Sequence, residues 1–235
     1  MEQSMGAQEV SDAVGGGGWR LLLGTLQRFV PVASAARAVE AVAVAVAVCG
    51  EEADRRLRAD LRPGVVVLAL VPPEGAAVGA GEVELARRIS AALCGPGADT
   101  GWGEQRPGEP RSVQLLEIAV DVLDAAAVRP FWKAVLGHVG VPGADGPEDP
   151  LVDPLGQGPA VWFQRMDAPR VQRNRLHLDV TVPHDEALRR VGAAVAAGGR
   201  VVSAARAPAW WVLADPEGNE VCVSTWQGRE EEPQQ

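Results

Sequence analysis

Two stretches of this 235-residue chain share a pattern that restricts its fold more than any other feature. LLEIAVDV at 115–122 and RLHLDVTV at 175–182 both alternate apolar and polar residues, the period of a half-buried strand. Each is followed by a helix-like stretch, 125–135 and 185–197, that ends near glycine, and Glu117 lies 60 positions before His177. AVWFQ at 160–164 follows the first copy and EVCV at 220–223 the second, so Gln164 comes 47 residues after Glu117 and Cys222 comes 45 after His177. Two strand–helix–strands modules of about 60 residues account for the region. Paired modules can curl their sheets around a shared cleft, which makes Glu117, Gln164, His177 and Cys222 the expected cleft residues.

A break dense in Gly and Pro, GPGADTGWGEQRPGEPR at 95–111, separates this region from the rest. Neither regular element tolerates that composition. The expected organisation is a disordered tail at 1–18 ending in Gly15–Gly18, a first domain at 19–94, the linker, a second domain at 112–228, and an acidic tail at 229–235. The first domain reads as an apolar segment Trp19–Phe29, a helix over 34–54, a strand at 65–71 and a helix over 82–93. The first helix contains VAVAVAVC, which has the period of a strand, but its surroundings are rich in Ala and free of Gly and Pro, so helix is expected. The last helix places Val83, Leu85, Ala86, Ile89 and Leu93 on one face. The whole is an α+β protein.

Charge excludes several partners. Lys and Arg total 22 against 31 Asp and Glu, a net −9, so no overall field favours nucleic acid or anionic lipid. A small-molecule metabolite is the expected partner. The longest apolar run, 41–49, is far shorter than the roughly 20 residues that span a bilayer, and Glu2 and Glu9 stand where a signal peptide needs positive charge. Three cysteines without CxxC spacing fit neither a disulfide framework nor a thiolate zinc site. A cytoplasmic protein is expected.

From 115 to 227 the chain resembles the glyoxalase-like branch of the vicinal oxygen chelate superfamily. The matching pieces are LLEIAVDVLD before FWKAVLG, VWFQRMDAPRVQRNRLHLDVTVP, APAWWVLADPEGNEVCV and STWQGR. The resemblance implies paired βαβββ modules and, in metal-dependent members, a divalent ion held by one strand residue at each of four positions. Here those positions fall on Glu117, Gln164, His177 and Cys222, with Glu220 two residues earlier on the same strand face as a carboxylate alternative. Glu117 then acts as ligand or general base, or pairs with an arginine such as Arg175. His177 acts as ligand or acid/base, or is a structural histidine. Trp210 and Trp211 either line a pocket for a flat ligand or pack in the core, and Asp215–Asn219 is a turn.

Domain one resembles the pterin-4a-carbinolamine dehydratases through WRLLLGTLQRFV at 19–30, EEADRRLRADLRPGVVVLAL at 51–70 and EVELARRISAAL at 82–93. The resemblance implies a small α/β sandwich that removes water from a 4a-hydroxytetrahydropterin through a His-His-Pro segment, in a family that also forms homo-oligomers. Here that segment is Arg55-Arg56-Leu57, and no histidine precedes His138. Arginine stays protonated near pH 7 and supplies no base. Arg55 and Arg56 form either a solvated patch, neutralised by Asp54 and Asp60, or a site that binds an anion through guanidinium forks. Three functions follow: a glyoxalase-like binding protein or lyase; a hydro-lyase of tetrahydrobiopterin metabolism acting through domain one; or a non-catalytic assembly module, a homodimer or higher homo-oligomer.

Overall fold

A computed structural model describes residues 5–74, 76–94, 114–170, 172 and 176–228. The chain divides into two compact units, Met1–Leu115 and Leu116–Gln235. The expected linker at 95–111 and acidic tail at 229–235 lie outside the described residues.

The first unit runs α1 (Ala7–Gly15), β1 (Arg20–Leu22), β2 (Thr25–Pro31), α2 (Ala35–Cys49), a 3-10 turn (Gly50–Glu52), α3 (Ala53–Arg56), β3 (Leu57–Arg62), β4 (Val65–Leu70) and α4 (Ala80–Cys94). Its sheet has the order β1-β2-β4-β3 with every pair antiparallel. Leu26, Val30, Val66, Leu68 and Leu70 face the helices and form the core with Ala38, Ala41, Ala45 and Ile89.

The expected tail at 1–18 is corrected from Ala7 onward, where α1 buries Val10 and Val14 completely or nearly so. A helix this short is held by its packing rather than by propensity, so composition alone did not reveal it. One glycine of the run serves close packing: a Cβ at Gly17 would sit 2.8 Å from Ser90 Oγ on α4. The segment 19–29 becomes a hairpin whose turn residues Leu23 and Gly24 both have positive φ, 44° and 72°. VAVAVAVC is helical, capped by the Ser34 hydroxyl accepting from the Arg37 N–H. Its buried face is Ala38, Ala41, Ala45 and Cys49, while Val39 and Val46 stay exposed. That helix ends at Cys49, five residues short of the expectation, because Gly50 leaves helical geometry at φ 60°.

The second unit runs β5 (Glu117–Val122), α5 (Ala125–Leu136), β6 (Val139–Gly140), β7 (Leu151–Val152), β8 (Ala160–Arg165), β9 (Asp179–Thr181), α6 (Ala187–Ala196), β10 (Arg200–Arg206), β11 (Trp210–Ala214) and β12 (Glu220–Ser224). It forms two four-stranded sheets, β5-β8-β7-β6 and β10-β11-β12-β9. In both, the first strand lies parallel to the last, and the remaining pairs are antiparallel. These are the expected βαβββ modules. Val120, Val122, Val161, Leu213, Val221 and Val223 meet Val128, Phe131 and Trp132 of α5 in a single core. Among the described residues, no helix is long and apolar enough to cross a membrane.

Candidate functional site

Alternation along a strand sends successive side chains to opposite faces. In the first module the face turned away from the core carries Glu117, Ala119 and Asp121, level with Ala160, Trp162 and Gln164. In the second, Cys222 and Ser224 lie level with Asp179 and Thr181 on one side, and with Val212 and Trp210 on the other. The Cys222 N–H donates to the Leu178 carbonyl at 2.8 Å. Continuing that parallel register two residues back sets His177 beside Glu220.

A cavity of about 220 Å³ opens on this face of the second module. His177, Glu220 and Cys222 supply its polar groups, and Trp210, Val212 and Leu178 supply apolar wall. Four of the expected site residues therefore meet: His177, Trp210, Glu220 and Cys222. Leu176, Leu178, Val212 and Val221 complete the lining and were not among the expected site residues. Trp211 points the other way and packs against the core, as alternation with Trp210 requires.

Glu117 and Gln164 do not line this cavity. Both are exposed on the sheet of the first module, and Arg175, the suggested partner of Glu117, lies outside the described residues. Beside Gln164, the Asp121 carboxylate is taken by Arg170, with Oδ2 2.5 Å from Nη2. The assumed equivalence of Gln164 and Cys222 is also corrected. Glu117 pairs with Ala160, and the matching pair 60 residues on is His177 with Glu220, so the structural counterpart of Cys222 is Trp162 and that of Gln164 is Ser224. The unequal spacings of 47 and 45 residues carried that two-residue slip.

A family described as the glyoxalase-like domain matches residues 117–224, from the first residue of β5 to the last of β12. Those residues are a glyoxalase-like domain. No curated protein matches the chain. Solved structures similar to it include a glyoxalase/bleomycin resistance protein/dioxygenase family enzyme from Burkholderia phytofirmans PsJN (19% identity, 46% of this chain, 95% of that one, TM-score 0.38). Others are a glyoxalase-related enzyme from Fulvimarina pelagi (20% identity, 48% and 87% covered, TM-score 0.39), and the fosfomycin resistance protein FosX of Mesorhizobium loti (11% identity, 47% and 90% covered, TM-score 0.38).

Members of the glyoxalase-like superfamily often use a divalent metal, but the donors here do not fit one. Among the described residues, no three His, Cys, Asp or Glu side chains are grouped to hold an ion. Of the expected set, His177, Glu220 and Cys222 line the cavity, whereas Glu117 and Gln164 do not. The remaining histidines have other surroundings: His138 is buried with Nε2 3.0 Å from the Pro159 carbonyl oxygen, and His184 accepts from the Trp226 indole N–H.

The Asp215–Asn219 turn of the glyoxalase-like domain is the seam between its modules. Asp215 is fully buried, and its carboxylate accepts from the Trp132 indole of α5, the backbone N–H groups of Glu217 and Asn219, and the Asn219 side-chain amide, all at 2.9–3.0 Å. Glu217 in turn accepts from Leu123 and Asp124 N–H at the start of α5, both at 2.7 Å. An acceptor there also complements the helix dipole.

In the first unit, Arg55 and Arg56 stand where α3 passes into β3. Arg55 is exposed. Arg56 is half-buried and bonded to Glu52 at 2.8 Å and Glu82 at 2.7 Å, and Glu82, itself buried, also accepts from the Gly79 N–H. The guanidinium fork is thus committed to internal carboxylates, not the Asp54 and Asp60 expected from the sequence; Asp60 pairs with Arg62.

Proposed function

We propose that the glyoxalase-like domain binds a small metabolite with a flat apolar body and an oxygen-bearing end in the cavity of its second module, without the metal set that the family resemblance suggested. The observation that carries this is the pairing of Trp210 and Val212 with His177 and Glu220 around one opening. Binding sites are generally apolar with a few convergent polar groups. At about 220 Å³ the cavity falls below the roughly 300–1,000 Å³ of drug-sized pockets, which favours a small ligand. His177 would orient the oxygen function and is the acid/base group available if the ligand is transformed.

Calorimetric titration with a panel of short oxo acids and hydroxylated aromatic acids tests this. At least one compound is expected to bind, tenfold or more weakly to His177→Ala and Trp210→Ala, and unchanged to Glu117→Gln. Loss of binding in Glu117→Gln, or binding only when a divalent ion is added, would return the site to a metal cleft shared by both modules.

For the first unit we propose a dehydratase-like sandwich without dehydratase chemistry. Supporting it are helices layered on a four-stranded antiparallel sheet and, at the position of the His-His-Pro segment, an Arg56 tied to Glu52 and Glu82. Turnover of a pterin carbinolamine by the full chain above the spontaneous rate would refute it.

A further inference from the structure

The chain has three cysteines, and their surroundings differ. Cys49 is buried in the first unit, and that burial pushes its thiol up, which makes it a poor nucleophile. Cys94, at the end of α4, is exposed, with the Arg28 guanidinium donating to its sulfur at 3.3 Å. Cys222 is half-buried and lines the cavity of the second module together with His177.

The strand registers order the cavity along its length. Trp210 is level with Ser224, Val212 with Cys222, and Ala214 with Glu220. Cys222 therefore stands midway between an aromatic end at Trp210 and a polar end at Glu220. On its other side Cys222 pairs with Asp179 across the parallel β9–β12 ladder. His177 comes two residues before Asp179, so it leaves the same face one strand over, towards the polar end. With strands about 4.8 Å apart and a rise of about 3.3 Å per residue, the Cα positions of Cys222 and His177 are about 8 Å apart. One small molecule lying along the face meets both side chains.

We propose, on the reading of this cavity as a ligand site, that Cys222 captures a small α,β-unsaturated carbonyl compound by conjugate addition. Such a compound is flat, and its reactive carbon lies between an apolar substituent and the carbonyl group. That order matches the order of the cavity: the apolar substituent on the Trp210 indole, the reactive carbon at Cys222, the carbonyl oxygen towards His177. A thiol becomes a strong nucleophile as an adjacent base takes its proton, and His177 is that base. The sulfur bonds to the β-carbon, and the electron pair of the carbon–carbon double bond moves to the α-carbon. His177 then returns the thiol proton to that carbon. The carboxylates of Asp179 and Glu220, on the same face, offset the charge that the imidazole carries in between. No group leaves, nothing is oxidised or reduced, and the product is a thioether that holds the whole ligand.

Benzylideneacetone, an aryl enone, is the probe, and its saturated analogue benzylacetone is the reversible control. Intact mass and peptide mapping of the full chain should show addition of one whole enone at Cys222. The rate should saturate with enone concentration and reach at least ten times that at Cys94 in the same molecule. In His177→Asn the maximal rate at Cys222 should fall at least tenfold while Cys94 reacts as before and Cys49 stays unlabelled, which a general loss of structure does not mimic. A Cys222 rate no higher than that of Cys94, a rate that does not saturate, or an unchanged maximal rate in His177→Asn would each overturn the proposal. Calorimetry with benzylacetone tells its failure from that of the cavity reading. If Cys222 does not react but the saturated ketone binds, and binds more weakly to Trp210→Ala, only the covalent step falls; if the ketone does not bind either, both fall.

Discussion

The two modules of the glyoxalase-like domain have the same strand order and the same parallel pairing of first and last strands, yet their outer faces differ in chemistry. The second presents a cavity with His177, Glu220 and Trp210. On the outer face of the first, Asp121 holds Arg170, and Glu117 and Gln164 are exposed outside that cavity. Repetition in a chain therefore specifies a scaffold, and the side chains at matched positions decide separately which copy has a site.

The largest expected effect tests whether two such modules stand alone. Asp215 of the second module takes the indole N–H of Trp132 in the first, both fully or almost fully buried. Asp215→Ala removes a buried acceptor and leaves its donors without a partner, each costing about 1–3 kcal/mol. A loss of at least about 3 kcal/mol in urea unfolding is expected, by the same mechanism that produces the largest single-mutant effects. A loss under about 1 kcal/mol would mean that the modules do not depend on this seam, and that the comparison should be drawn between independent folding units.

How much of this was legible follows from where each residue packs. β5 and the start of β9 were visible because one face of each is buried, which writes a period of two into the sequence. β4 was visible as an unbroken apolar run between turn residues. β3, LRADLR, lies at an edge with five exposed residues, so no burial pattern marks it. α1 was hidden by its neighbouring glycines, of which Gly17 makes a close approach to Ser90 and Gly18 takes a positive φ of 78°. At the site, parity along the strands was readable and gave the correct face for His177, Glu220 and Cys222. Which module's face would form a cavity was not, because that depends on how Leu178, Trp210 and Val212 meet across three strands.

A smaller effect sharpens the contrast by titrating the first module alone. Asp145 lies between β6 and β7, and hydrogen bonds from Lys133 and then Arg129 hold its carboxyl below the usual carboxylate range. A folded pKa lower than the unfolded one contributes stability above the unfolded value, and that contribution disappears as pH falls through the folded value. The unfolded carboxyl titrates near pH 4. The advantage of the parent over Asp145→Asn should thus be constant from neutral pH down to about pH 5, shrink below about pH 4, and vanish in stronger acid. Urea unfolding of both proteins across that range measures it. Because Asp145 is solvent-exposed the difference should be modest, and because none of its partners lines the cavity, ligand affinity at neutral pH should be the same in both. A stability gap that does not change with pH would show that the substitution removes packing rather than charge; altered affinity would show that the charges of the first module reach the site in the second.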